Sequence, residues 1–161
     1  MNDKILNNKY VILVLRIAAG FYFIYAAQSK IVYPAEFAEA IRAYQIIPDA
    51  LSSIPAIIFP WIELYCGLFL IFGLFTQSSA TIAAGLVFVF TVNVLIALLR
   101  GLKIDCGCGV SLTGVERVSW IKVVENSVVI LILVLISRTK TFLFSFDAKR
   151  ADKLTNSSFL N

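Results

Sequence analysis

Histidine is absent from this 161-residue chain, and charge is scarce, with 14 basic and 10 acidic side chains making 15% of the residues. Without histidine the chain lacks the commonest zinc ligand, haem ligand and general base. A soluble domain carries charge on roughly a quarter of its residues. A soluble enzyme is therefore a poor fit, and the net charge of +4 does not by itself signal a nucleic-acid partner. Cysteine occurs only three times, short of the usual four-ligand metal set, so no metal is expected within one chain. Also missing are an internal repeat, a low-complexity stretch and a small-x-small cleavage pattern after the first apolar run.

What the chain has in abundance is apolar sequence: 60% of the residues are hydrophobic, and the mean hydropathy is +0.88. These residues gather into four runs, Tyr10–Ala27, Ile54–Phe75, Ala80–Leu99 and about Val118–Ser137. Each approaches the roughly 20 residues that a helix needs to cross a bilayer. The first run follows Lys4 and Lys9 and ends at Gln28-Ser29-Lys30, and it reads as a retained first span. Thr76-Gln77-Ser78-Ser79 reads as a tight turn, making spans two and three an antiparallel hairpin.

The connector after span one contains Pro34 and Glu36, which suit a helix start, and ends before Pro48. Phe37, Ala40, Ile41 and Tyr44 share one face at helical spacing. This predicts a short helix lying on the membrane surface with its apolar face down. The fold class is all-α: a four-transmembrane-helix bundle with a short amphipathic interfacial helix between helices 1 and 2. Residues 1–140 form the membrane domain, and 141–161 an interfacial and basic tail.

The feature that carries chemistry is Cys106-Gly107-Cys108, in a Gly-rich loop between spans three and four. An extended backbone brings cysteines at i and i+2 within the ~4.4–6.8 Å between alpha carbons that a disulfide tolerates. Gly107 frees the backbone to bend inward. A small, strained, exposed disulfide is a labile one, better suited to exchange than to stapling. Arg100, Lys103 and Arg117 favour the thiolate, and Asp105 opposes it. The plain alternative is two small residues lining a glycine turn. Cys66 lies inside span two and reads as a small buried apolar residue.

Arg16, Glu63, Lys122 and Glu125 fall within the spans, where ionisable side chains face the bundle interior and pair. Counted from the loop side, Lys122 sits ~6 Å deep, Glu125 ~10 Å and Glu63 ~14 Å. Arg16 lies ~21 Å from the loop face, so that its long side chain closes much of the gap to Glu63, and Lys122 can pair with Glu125 along one helix at i, i+3. With Asn93 they form a polar ladder toward the cysteine loop. Glu63, Asn93 and Glu125 are candidates for holding a quinone headgroup or relaying protons. Arg16 and Lys122 are structural charges that fix helix packing; the same packing role is open to the whole ladder.

Four spans put both termini on one side and the cysteine loop on the other. The terminal side carries Lys4, Lys9, Arg138, Lys140, Lys149, Arg150 and Lys153; the loop side carries Lys30, Arg42, Arg100, Lys103, Arg117 and Lys122. The positive-inside rule does not choose between them. Disulfides persist outside the cytosol, so a redox pair places the loop outward and the termini in the cytoplasm.

The residues that carry a family likeness are Arg16, Gly20 and Lys30, then Phe37 to Tyr44 and Pro48. Pro60-Trp61-Ile62-Glu63-Leu64 and Arg100-Gly101 follow, and then Cys106-Gly107-Cys108-Gly109. On them the chain resembles the MauE and DoxX-like membrane proteins, from about residue 10 to 137. The resemblance implies a four-helix bundle with an outward-facing thiol pair. It also implies disulfide formation in exported partners and a link to quinone-coupled thiol oxidation. Where the family loop commonly reads Cys-Gly-Cys-Phe-Gly, this chain has Gly109-Val110, and Glu125-Asn126 stands where relatives often carry Arg-Asn.

Two functions follow as expectations. The first is a thiol–disulfide oxidoreductase of the bacterial inner membrane. Cys106 and Cys108 would be catalytic, an exported thiol-containing protein the partner and quinone a possible cofactor. The second is a non-catalytic small subunit of a larger respiratory or photosynthetic complex, packed against other membrane subunits. A transporter has less support, because no inverted repeat is visible.

Overall fold

The computed structural model describes residues 9–46, 48, 51–102, 104 and 118–139. Cys106, Cys108 and the tail beyond Thr139 lie outside the described residues. Five helices follow in order: α1 (Lys9–Val32), α2 (Pro34–Ala43), α3 (Ser53–Phe72), α4 (Thr76–Leu99) and α5 (Trp120–Arg138). Among the described residues there is no strand. All helices except α2 are long and apolar enough to cross a membrane. At 19 to 24 residues each, they span about 28–36 Å, against a hydrocarbon core of about 30 Å. The chain is a multi-pass membrane protein.

The outer faces say the same. Val14, Phe21 and Tyr25 on α1, Trp61 and Tyr65 on α3, and Val124 on α5 are all exposed. A water-soluble monomer rarely shows so continuous an apolar surface. The inward faces repeat every three to four residues, which is the helical period. On α1 the buried stripe is Ile12, Arg16, Gly20, Phe23, Ala27 and Lys30. On α5 it is Lys122, Glu125 with Asn126, Val129, Leu133 and Ile136. Phe23, Cys66, Leu70, Ala83 and Leu133 meet in the main core.

Helix pairing is uneven, and the unevenness makes the site. α1 lies closely along α3, and α4 along α5, while α3 and α4 touch far less. The α1–α3 approach depends on Gly20 and Gly67: a Cβ on Gly67 would stand 2.8 Å from the Gly20 carbonyl oxygen. Small residues let two backbones come this near in lipid, where close packing rather than water exclusion holds helices together.

Three details differ from the sequence expectation. Span one runs on to Val32, because nothing before Pro34 stops a helix, and Lys30 is thereby buried at 6% exposure. The α3–α4 turn is formed by Gly73, Leu74 and Phe75, not by Thr76–Ser79. Gly73 takes the left-handed conformation at φ 68° that ends a helix, and Thr76 already opens α4. Finally, α2 turns its apolar face onto the protein, where Phe37 and Ala38 bury against Ala56 of α3. Pro34 in its first turn, Glu36 near its start and Arg42 at its end suit the helix dipole.

Candidate functional site

At the loop-side end of α1, the Lys30 ammonium reaches across to Glu63 of α3. Lys30 Nζ donates to both carboxylate oxygens, at 2.8 Å to Oε1 and 2.7 Å to Oε2. The two side chains are only 7% and 16% exposed. The Phe37 and Phe90 rings stand over the same ammonium at 5.2 and 5.9 Å. Charge pairing and two ring faces together replace the water that a lysine loses on burial. The position is set by periodicity. Lys30 closes the buried stripe of α1, and Glu63 falls between Pro60 and Gly67 on the inward stripe of α3.

The pair borders a cavity of about 380 Å³ between α1, α3 and α4, to which α5 contributes Asn126. Its polar residues are Lys30, Glu63, Asn93, Asn126 and Tyr22; the remaining walls are aliphatic and aromatic. Lys30, Asn93 and Asn126 stand two, six and six residues from the loop-side ends of their helices, within about 10 Å of those ends at 1.5 Å per residue. Asn126 is 4% exposed, and its Nδ2 has no hydrogen-bond partner among the described residues. Farther from this end, the α4 wall consists of Ile82, Gly85, Leu86, Val87 and Val89. Of these, Ile82, Gly85 and Val89 are exposed on one face of the helix.

The sequence candidates are thus divided. Glu63 and Asn93 line the cavity. Glu125 does not line it. It accepts from Lys122 Nζ at 3.2 Å through both oxygens, the i, i+3 pair that the sequence suggested, with Lys122 fully buried. Arg16 is buried on α1 at 2% exposure, while the carboxylate that depth alone matched to it is held by Lys30. Cys66 is a free, buried thiol in the apolar core. Cys106 and Cys108 lie outside the described residues. Sequence reasoning missed Lys30 and Asn126, although the three-to-four spacing of their stripes marks both as inward-facing. Among the described residues, no three His, Cys, Asp or Glu side chains gather to hold a metal ion.

The residues flanking the thiol segment are tied to this same end. Arg100, just past α4, donates through Nη1 to the Tyr44 carbonyl at 3.1 Å and through Nη2 to Gln45 Oε1 at 3.1 Å. The Val118 N–H donates to the Ile104 carbonyl at 3.0 Å, closing the chain on either side of the segment. Ser119 then caps α5, its hydroxyl accepting from the Lys122 N–H. Tyr44 is buried and meets Phe90 edge-on at 6.3 Å. Burial pushes its phenol well above the usual value of 10.

Comparison with known proteins finds relatives of one family. The family model described as methylamine utilisation protein MauE matches residues 8–138. A methylamine utilization protein MauE of Paracoccus denitrificans is 34% identical over 120 residues, covering 73% of this chain and 63% of the relative. Another, of Methylophilus methylotrophus, is 26% identical over 124 residues, covering 76% and 65%. In both, the match spans less than two thirds of the relative's own length. No solved structure matches the chain significantly.

Proposed function

This chain belongs to the MauE family, and on that premise we propose that it passes disulfides to an exported thiol-containing partner through Cys106 and Cys108. In this reading the protein sits in the bacterial inner membrane with both termini cytoplasmic and the thiol loop outside. Its service is to methylamine utilisation, as its relatives are named. A thiolate of the partner attacks one sulfur of the Cys106–Cys108 disulfide and forms a mixed disulfide, releasing the other sulfur as a thiolate. The partner's second thiolate then displaces the first sulfur. The partner leaves oxidised, and the pair holds two electrons and two protons as thiols. Reforming the disulfide needs a two-electron, two-proton acceptor, and a bilayer-soluble quinone would supply that chemistry. Glu63 and Asn93 stand where its headgroup would reach the polar end of the cavity.

The observation that supports this most is the tie at the base of the thiol segment. Arg100 bonds to Tyr44, and Ile104 to Val118, at the helix ends toward which the cavity's polar residues lie. Cys66, buried in the core, stands apart from the exchange.

The test is alkylation in intact cells. After mild reduction, a membrane-impermeant maleimide is expected to modify Cys106 and Cys108, and Cys106→Ser or Cys108→Ser to leave the partner's thiols reduced. Thiols reached only from the cytosol would overturn the reading. So would serine variants that are harmless while the chain co-purifies stoichiometrically with membrane subunits, the behaviour of a non-catalytic subunit.

A further inference from the structure

We infer that the cavity is a binding site, entered sideways from the bilayer, for a neutral molecule with a carbonyl-bearing head and a hydrocarbon tail, and that Asn126 donates to its head. Four observations carry this. The lining residues Ile82, Gly85 and Val89 are exposed, and this places the mouth along them, 6 to 13 residues into α4, about 9–20 Å along the helix and so within the hydrocarbon. Whatever enters there comes from lipid rather than water. The volume of about 380 Å³ lies at the lower end of the ~300–1,000 Å³ typical of small-molecule sites. It suits a single ring or ester head with the first part of a tail, the rest of the tail leaving through the mouth.

Charge and hydrogen bonding decide the head. Lys30 and Glu63 neutralise each other through two short bonds, and two rings cover the ammonium. An anionic headgroup would have to break that pair to find a counter-charge, so the polar end favours a neutral group. Asn126 supplies the specific contact. Its Nδ2 is a buried donor without a partner among the described residues, in a cavity whose walls are otherwise mostly apolar. A buried donor is satisfied in nearly all native structures, and a carbonyl oxygen on a ligand is the group that satisfies it.

Two lipid-phase sources share this chemistry, a quinone and a neutral ester lipid such as diacylglycerol. The quinone arm deepens the proposed thiol reaction and rests on it. The site itself does not need the cysteines. Gly85 offers a clean block, since a Cβ placed there meets nothing within 4 Å. Gly85→Leu therefore starts a bulky side chain at the mouth from a Cβ that meets no neighbour, and it improves helix propensity. Asn126→Leu removes the donor at similar volume, a change that costs little when the group is unsatisfied.

The experiment uses the full chain in nanodiscs, with decylubiquinone and dioleoylglycerol as probes and phosphatidylglycerol as the anionic competitor. One neutral probe is expected to bind saturably, and equally to a Cys106→Ser/Cys108→Ser chain. Asn126→Leu weakens it roughly tenfold, as loss of one hydrogen bond does. Gly85→Leu abolishes binding while the thermal midpoint is unchanged or raised. Binding that survives both substitutions, that phosphatidylglycerol displaces, or that neither probe shows overturns the inference. Probe binding together with failed partner oxidation keeps the site and removes the thiol reaction.

Discussion

Replacing Lys30 with methionine isolates the Lys30–Glu63 pair. Methionine keeps most of the stem's volume, so the change removes the charge without opening much new space. What remains is a carboxylate, 16% exposed, that has lost both of its short bonds to Lys30. Breaking a buried pair from one side costs about 3–5 kcal/mol. Because Glu63 borders the cavity, the lower figure of about 3 kcal/mol applies, and loss of the contacts with Phe37 and Phe90 adds about 0.5–1 kcal/mol. For a chain of this size, 3 kcal/mol corresponds to a fall of about 6–12 °C in the thermal midpoint. Replacing both partners, as Lys30→Met/Glu63→Leu, leaves no stranded charge and is expected to come within about 1 kcal/mol of the parent. The assay is thermal unfolding in one detergent, followed by circular dichroism, for the parent, both single variants and the double. A coupling energy above about 2 kcal/mol is expected. A Lys30→Met chain as stable as the parent, or a double variant as weak as the two singles summed, would refute the reasoning.

Two of the helix glycines give opposite signs for one chemical change. Gly67→Ala sets a methyl 2.8 Å from the Gly20 carbonyl oxygen and forces α1 from α3, at an overpacking cost of about 1–3 kcal/mol. Gly85→Ala meets nothing within 4 Å and gains up to about 1 kcal/mol of helix propensity; melting curves that shift the same way would count against the α1–α3 contact. Tyr44 sets an alkaline limit. Its phenol is held protonated by burial, so its contribution to stability is level below pH 10 and falls above it, where the unfolded chain releases the proton first. Tyr44→Phe is expected to make that fall shallower in a pH series of midpoints.

The spans were legible because a bilayer demands a stretch of apolar residues that few other structures require. Their ends were less so. The polar Gln28, Ser29 and Lys30 mark an end for span one at Ala27, yet a lysine can lie inside a bundle when a carboxylate and two rings receive it. The polar Thr76–Ser79 run looked like a turn, whereas the backbone reverses at Gly73, where a left-handed conformation is needed. The buried ionisable residues could be named from the sequence, but their partners could not all be assigned. Depth put Arg16 near Glu63, while register between α1 and α3, fixed by Gly20 against Gly67, hands Glu63 to Lys30. Lys122–Glu125 was legible because both partners lie on one helix and no register is involved.

Those same stripes explain why the polar chemistry has one location. A lipid-facing helix surface cannot carry charge cheaply, so Arg16, Lys30, Glu63, Lys122 and Glu125 all fall on faces that turn inward. α3 and α4 touch far less than α1 and α3 or α4 and α5; the cavity lies between them and α1, and its polar residues lie toward the loop-side end. Arg100 and the Ile104–Val118 bond hold the chain on both sides of the thiol segment at that same end. In the proposed reaction the two substrates dissolve in different phases, an exported protein in water and an electron acceptor in lipid. A reaction between them needs a place where a group arriving from water and one arriving from hydrocarbon meet the same few polar side chains. The loop-side end of this bundle answers that need. Toward the turn side of the bundle, Leu70, Ala80, Leu133 and Ile136 close the core.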